Sequence, residues 1–299
     1  MEKTINLTAE EDGGRLDAYV SDHTDISRSF AEKLVNQGHV LVNGSSKQKK
    51  YKVKKGDIIF IEVPAEPVPD LTPVKMDITI IYDSHYFAVI DKPAGLTVHP
   101  SPGHSNDTLV NAILAEFEIT DDNDLRPGIV HRLDKDTSGL MLIAKNREAR
   151  EKLAKVFADR NVVKRYLAVC WGNPKTDHFF IEEPIGRHRK DRKKMCVRED
   201  GRYAKSEITV LKRSDNAFLA EVRIFTGRTH QIRVHMSHAG FPLAGDVVYG
   251  NRMSLKMPIG RQALHSWKLS FDNPFTNETE AFESPLPQDM RELIKRLKL

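Results

Sequence analysis

Apolar positions recur along this chain at two different periods, and the change between them divides it. Near the N-terminus Leu16, Tyr19 and Val20 keep the spacing of one helix face. After Ser27, Phe30, Ala31, Leu34 and Val35 keep it again, which predicts a second helix capped by Ser27 and stopped by Gly38. Val40-Leu-Val42 then reads as a strand ending at the turn pair Asn43-Gly44, and residues 58–63 as another after Gly56-Asp57. Pro64, Pro67, Pro69 and Pro73, interleaved with Glu66 and Asp70, predict a semi-stiff linker over 64–75. The chain is thus expected to hold a first domain over residues 1–63 and a second over 76–299.

Beyond the linker short apolar runs dominate. Residues 78–82 and 86–90 read as strands, as do Ile129-Val130 and Leu140-Met141-Leu142-Ile143. Residues 205–211 and 217–225 form a hairpin around Ser214-Asp215-Asn216. Two helices interrupt them. One, capped by Asp107, carries Leu109, Val110, Ile113, Leu114 and Phe117; the other, capped by Asn146, carries Ala149, Leu153, Val156 and Phe157. Strands outnumber helices, so the expected fold class is α+β: a small N-terminal α/β domain, then a mostly antiparallel sheet with flanking helices. The stretch Asp121-Asp122-Asn123-Asp124 reads as a surface loop.

Composition narrows the class. No apolar run among the 299 residues approaches the roughly 20 needed to span a bilayer, and the start Met-Glu-Lys-Thr-Ile-Asn lacks the apolar core of a signal peptide. The two cysteines, Cys170 and Cys196, are far apart, which argues against a disulfide framework or a cysteine zinc site. The expectation is a cytoplasmic protein. The net charge of +4 is modest, but its distribution is not even. Lys47, Lys49, Lys50, Lys52, Lys54 and Lys55 crowd one segment. Arg187, Arg189, Lys190, Arg192, Lys193 and Lys194 crowd another, with Arg198 close behind. Either run is a footprint for phosphate or simply a solvated face.

The polar loop between Val130 and Leu140 draws most attention, because buried strands need no such loop for stability. His131-Arg-Leu-Asp-Lys-Asp-Thr-Ser-Gly139 reads locally either as a turn or as a charged site on a rigid scaffold. It also resembles the HRLDxxTSG motif of the RluA-type RNA pseudouridine synthases. Three more segments fit that family in the same order. They are Val89-Ile-Asp-Lys-Pro-Ala-Gly-Leu-Thr-Val-His-Pro100, Val163-Lys-Arg-Tyr-Leu-Ala-Val169, and Thr226-Gly-Arg-Thr-His-Gln-Ile-Arg-Val-His-Met236 with its extension Pro242-Leu-Ala-Gly-Asp246 and Tyr249-Gly250. The N-terminal domain resembles the small RNA-binding domain named after ribosomal small-subunit protein four. Arg15-Leu-Asp17, Ile26-Ser-Arg-Ser29, Gly38-His-Val-Leu-Val-Asn-Gly44 and Val53-Lys-Lys-Gly-Asp57 carry that likeness.

The resemblance implies a cofactor-independent isomerase that converts uridine to pseudouridine. Breaking a glycosidic bond builds positive character at the sugar carbon, which an ionised carboxylate can stabilise or trap. The resemblance makes Asp134 that carboxylate, Arg233 its catalytic arginine partner, and Tyr166 the aromatic under the uracil. Arg132, His131, Arg228 and Gln231 are then expected to meet substrate, with Arg132 either filling the space left by a flipped base or contacting phosphate. His131 reads better as a structural hydrogen-bonder than as a general base. Arg15, Arg28, Lys33, Lys47, Lys49 and Lys50 are the expected RNA contacts of the first domain. His230, His235 and His238 lack a metal-ligand pattern, so neither metal nor cofactor is expected. Family members with this extra domain mostly modify large-subunit ribosomal RNA, so the expected partner is that RNA or a pre-ribosomal particle, met by a monomer. The alternatives are transfer RNA as substrate, or a non-catalytic ribosome-assembly factor.

Overall fold

A computed structural model of the chain describes residues 3–64, 70–99, 106–119, 126–191 and 194–299. The acidic stretch 121–124, residues 65–69 of the proline-rich segment, and Arg192 and Lys193 of the second basic run lie outside the described residues. The chain divides into two compact units, Met1–Val68 and Pro69–Leu299.

In the first unit β1 (Lys3–Thr8), α1 (Leu16–Asp22), α2 (Arg28–Asn36), β2 (Val40–Val42), β3 (Ser45–Ser46) and β4 (Ile58–Val63) build an antiparallel sheet in the order β1-β4-β2-β3. Leu16, Val20, Ala31, Leu34 and Val35 of the helices bury against Val40, Val42, Ile59 and Ile61 of the strands. The turn Asn43-Gly44 has positive φ at both residues, the geometry that favours Asn-Gly in tight hairpins. Two expectations need correction. Ser27 occupies the N-cap of α2, but its hydroxyl meets Ser29 and not a backbone N–H. The strand β1 is an addition to the expected elements, although Ile5 and Leu7 alternate as a short strand should.

The second unit contains β5 (Thr79–Asp83), β6 (Phe87–Lys92), α3 (Leu109–Glu116), β7 (Ser138–Ala144), α4 (Arg147–Ala158), β8 (Val162–Trp171), β9 (His178–Glu182), β10 (Ile185–Arg187), β11 (Met195–Val197), β12 (Lys205–Arg213), β13 (Ala217–Ile224), α5 (Gln231–His238), β14 (Leu264–Asp272), β15 (Thr279–Glu283) and α6 (Gln288–Leu297). One sheet runs β5-β6-β7-β14-β8-β13-β12-β9, with β15 also on β14, and β10 pairs β11 apart from it. Every pairing is antiparallel except β7 with β14. The fold class is therefore α+β on a mostly antiparallel sheet.

Both faces of the central strands are covered, which is why their sequences read as continuous apolar runs. Met141, Ile143, Tyr166, Ala168 and Cys170 pack with Leu109 and Ile113 of α3 and Ile232 and Met236 of α5. Their alternates face away: Leu140 and Leu142 pack with Ala149 and Leu153 of α4, and Leu167 and Val169 with Met290 and Leu293 of α6. The Asn146 side chain caps α4 by accepting from the Ala149 N–H at 2.8 Å. The cap of α3 is Thr108, not Asp107, because Thr108 and Asn111 form a reciprocal capping box. Ile129-Val130 is not a strand. Beyond Gly139, β7 parts from β14, and single bonds cover the freed edge: Ala144 N–H to Gly128 O, and Leu142 N–H to the His131 ring.

Candidate active site

The loop holding Asp134 is fixed at both ends before it meets any partner. Gly139 opens β7 with φ +110°, and a Cβ there would lie 2.3 Å from the Ser266 carbonyl oxygen, so only glycine allows the parallel contact with β14. A turn closes the loop through the Thr137 N–H and Asp134 O at 3.1 Å. On one side Lys92, fully buried at the end of β6, donates from Nζ to the carbonyls of Pro93 (2.7 Å), Leu96 (3.0 Å) and Lys135 (2.9 Å). The Gly95 N–H reaches the same Lys135 oxygen at 3.0 Å. The Lys-Pro-x-Gly turn is thus a clamp on the residue after Asp134. On the other side Arg261, paired with Asp289 of α6, donates to Asp136 O at 3.0 Å.

Arg233 comes from α5, on the opposite wall. Its Nη1 donates to Asp134 Oδ2 at 3.0 Å, while Nε and Nη2 fork onto Asp246 at 2.7 and 2.9 Å. Asp246 is wholly buried, and its Oδ1 also accepts from the Val248 and Tyr249 N–H groups at 3.0 Å. Burial works against that carboxylate, but the Arg233 guanidinium and the two backbone donors outweigh it and hold its carboxyl below the ordinary range. Burial likewise opposes the Arg233 cation, and the two carboxylates more than restore it. A guanidinium held along its Nε–Nη2 edge presents Nη1 to Asp134 in one orientation. Asp134 keeps 18% of its side chain exposed, towards the cavity.

His230 caps α5 in the left-handed conformation, φ 58° and ψ 21°. Its Nε2 lies 3.8 Å from Asp134 Oδ1, and its Nδ1 bonds the Tyr249 hydroxyl at 2.7 Å. That hydroxyl accepts from the Met195 N–H at 2.8 Å. Burial, eased by Asp134 and reinforced by Arg233, pushes the His230 pKa down, so the ring is neutral at neutral pH.

These groups open on a cavity of about 410 Å³. Tyr166 of β8 and Leu264 of β14 provide apolar wall, and Arg132 and Arg228 line it as well. Burial pushes the Tyr166 phenol up, only partly offset by the Ser266 side chain, so it stays protonated. Lys164, two residues away on the same strand, also lines the cavity with its ammonium 5.6 Å from the Phe157 ring. Burial lowers its pKa to about 8. An apolar slot with a carboxylate on one wall and cations around it suits a flat, neutral base attached to a phosphodiester.

The structure brings Asp134, Arg233 and Tyr166 to one cavity, with Arg132 exposed at its edge and no ion pair on Arg132 among the described residues. His131 lines the wall, but its Nε2 accepts from the Leu142 N–H at 2.8 Å and its ring stacks on Phe157. Burial, then Lys164, lowers its pKa to about 3, so it is a neutral structural group. Gln231 lines the cavity too, with its amide bonded within the protein: Oε1 accepts from Thr226 and the Arg228 N–H, and Nε2 donates to Lys205 O and Ser206. Arg228 keeps part of its guanidinium free, with Nε on Tyr203 O at 2.9 Å. His235 commits both ring nitrogens to Ser206 and the Glu183 carbonyl. Among the described residues no group of three or more His, Cys, Asp or Glu side chains is placed to hold a metal.

In the first unit, the Arg15 fork is taken by Asp17 at 2.8 Å twice, with the side chain still part-exposed. Arg28 is exposed 3.7 Å from the same carboxylate, and Lys33 and Lys50 are exposed. Lys47 lies over Tyr51, Lys49 pairs Glu32 at 2.6 Å, and these two with Lys50 line a cavity of about 490 Å³. The sequence reading gives no role to Lys92, Asp246, His230 or Tyr249. The first two carry a visible signal, a charged residue at the end of an apolar run.

Residues 86–238 match the family model of RNA pseudouridylate synthase, and residues 14–59 that of the S4 domain. The chain is 44% identical to a Bacillus subtilis (strain 168) protein named uncharacterized RNA pseudouridine synthase YlyB, over 98% of both chains. It is 38% identical to ribosomal large subunit pseudouridine synthase D of Pseudomonas aeruginosa, over 100% of this chain and 96% of that one. Among solved structures, human RNA pseudouridylate synthase domain containing 1 superposes with a TM-score of 0.60 at 25% identity, covering 74% of this chain and 95% of that one.

Proposed function

Because this chain belongs to the RNA pseudouridylate synthase family and carries an S4 domain, we propose that it converts uridines of large-subunit ribosomal RNA to pseudouridine, with Asp134 as the reacting carboxylate. The reaction breaks the N1–C1′ bond, turns the uracil in its slot and forms C5–C1′; C5 loses its proton and N1 gains one. No electrons leave the substrate. The target uridine must leave its stack to reach the cavity, and the exposed Arg132 at the cavity's edge is the residue we assign to the space it vacates or to the adjoining phosphate. Tyr166 and Leu264 hold the uracil between apolar surfaces, and the neutral phenol is placed to pass a proton at C5.

One observation carries this reading: Arg233, itself locked by Asp246, holds the only part-exposed carboxylate lining the cavity among the described residues. That arrangement orients a carboxylate towards the cavity with a fixed cation behind it, as a nucleophile or base at the sugar requires. The ribosomal target is supported by the similarity to the large-subunit enzymes and by the lysine-rich segment 47–55 of the S4 unit.

Asp134→Asn tests the chemistry, because the amide fits the same space but cannot ionise. Loss of a nucleophile costs roughly 10⁴-fold or more, so tritium release from [5-³H]uridine-labelled ribosomal RNA should become undetectable. RNA binding should stay within about tenfold, since phosphates supply most of the affinity. Appreciable tritium release by a clean preparation removes Asp134 from its role. Mapping pseudouridines in total RNA with and without the gene tests the target, and losses confined to transfer RNA would replace it.

A further inference from the structure

Beside the target cavity lies a second one, of about 430 Å³, whose lining includes Arg160, Phe180, Tyr203, Lys205, Arg223 and Phe225. The two share Ile224 as a wall, and Arg228 of the first bonds the Tyr203 carbonyl of the second. Phe180 is 51% exposed and Tyr203 43%, unusual for large rings unless something covers them. Each ring has a cation near it: Arg160 stands 5.8 Å from Tyr203, Lys205 5.2 Å from Phe180, and Arg223 4.6 Å from Phe225.

The charges are not all satisfied within the protein. Lys205 pairs Glu182 at 2.8 Å, and Arg223 lies 3.8 Å from Glu207. Arg160, Arg202 and Arg228 have no carboxylate partner among the described residues. They are close enough that the charges of Arg202 and Arg160, after burial, disfavour the Arg228 cation. The nearby Glu182 is taken by Lys205 and by the Tyr203 hydroxyl at 2.9 Å, so no carboxylate pairs with the three guanidiniums; they repel one another, and an anion between them relieves that repulsion. Aromatic faces flanked by cations are the composition that holds unstacked nucleotides, base on ring and phosphate on guanidinium.

We propose that this second cavity receives the base of a nucleotide adjoining the target uridine, stacked on Phe180 and Tyr203, with the intervening phosphate held by Arg228, Arg160 and Arg202. The inference rests on the reading that the enzyme acts on RNA, and it adds a determinant of which uridines are taken. A flanking nucleotide held here also keeps the flipped uridine from returning to its stack. A protein partner is the less fitting occupant, since beside the rings and the aliphatic Val162, Val163 and Ile224 the patch offers three cations with no carboxylate partner.

The test uses the full chain and a short synthetic RNA centred on a uridine that the wild-type enzyme modifies. Each flanking nucleotide is replaced in turn by an abasic one. Phe180→Ala and Arg160→Gln touch neither Asp134 nor its partners, so both should raise KM with kcat within about twofold. Stacking one base is worth roughly a factor of 5 to 150 in affinity, and Phe180→Ala should fall in that range. One abasic position should raise KM for the wild type by a similar or larger factor and raise that of Phe180→Ala much less, because only the contact with Tyr203 then remains to be lost. Wild-type KM in both variants overturns the proposal, as does an abasic penalty of full size in Phe180→Ala. If Phe180→Ala does not fold, Arg160→Gln alone decides. A wild-type enzyme that releases no tritium from any RNA overturns the functional reading instead, which keeps the two failures apart.

Discussion

Replacing Lys92 by methionine separates two things a buried ammonium does. The side chain is fully buried, and burial lowers its pKa from 10.5 to about 7, opposed by Asp136 and reinforced by Arg261. A lowering of that size corresponds to about 5 kcal/mol opposing the charge. Against it stand three hydrogen bonds to the carbonyls of Pro93, Leu96 and Lys135. Bonds to a charged donor contribute about 1.5–3 kcal/mol each, or about 4.5–9 kcal/mol together. Methionine fills the volume, relieves the charge burial and loses all three bonds, so the net loss of stability should be only about 0–4 kcal/mol. Activity should suffer more, because the carbonyl released belongs to the residue after Asp134, whose distance to Arg233 must hold to a fraction of an ångström. We expect a Tm lowered by several degrees and kcat lowered at least tenfold, with KM for ribosomal RNA little changed. Thermal melting and tritium release on the same preparation measure both. A folded variant with wild-type kcat would refute the reasoning, and so would a stability loss well above 4 kcal/mol with kcat intact.

Three other variants probe the same framework. Arg233→Lys keeps the charge but cannot hold Asp246 and Asp134 at once through a planar fork, so kcat should fall substantially while RNA affinity measured by titration is retained. Gly139→Ala drives a Cβ into the Ser266 carbonyl at positive φ and should cost more than about 3 kcal/mol in a denaturant titration, whereas Gly14→Ala, with open space around it, should be near neutral. His131→Gln tests pH: a ring with folded pKa about 3 against 6.5 unfolded contributes stability above pH 6.5 that is lost as pH falls towards 3. Glutamine still accepts from Leu142, so between pH 6 and 4 the variant should lose about 1.4 kcal/mol less per pH unit than wild type; parallel curves would show that His131 does not titrate this way.

The elements legible in the sequence are those whose burial is set by their own neighbours. The hairpin β12–β13 forms where its apolar runs predict it, with one irregularity between Val210 and Lys212, and Asn146 has the cap bond expected of it. Ile129-Val130 looks like a strand because it is apolar; the next residue, however, is a histidine whose ring takes the place of a backbone partner for Leu142. No local period encodes that substitution. Asp107 and Thr108 are both good caps, and only the reciprocal bond with Asn111 decides between them. At the site, the motifs point to Asp134, Arg233 and Tyr166, which do share a cavity. They do not reveal that the Gln231 amide holds the corner of Thr226, Lys205 and Arg228 together. Asp246 is visible as a charge ending an apolar run, but nothing local names its partner, because Arg233 stands 13 residues away.

The position of β14 has a consequence for how the protein is made. It lies between β7 and β8 in the sheet, yet it is formed by residues 264–272, about a hundred and more after its neighbours. A ribosome that has released the segment through β13 has exposed β7 and β8 with no strand between them, and the parallel contact at Gly139 cannot form until β14 emerges. The S4 unit pairs only strands within its first 63 residues, so it can close while the catalytic unit waits. Long-range pairing of this kind makes folding of the second unit slow and leaves apolar edges open to aggregation or chaperones. A nascent chain would therefore be able to grip RNA well before it had a cleft in which to modify it.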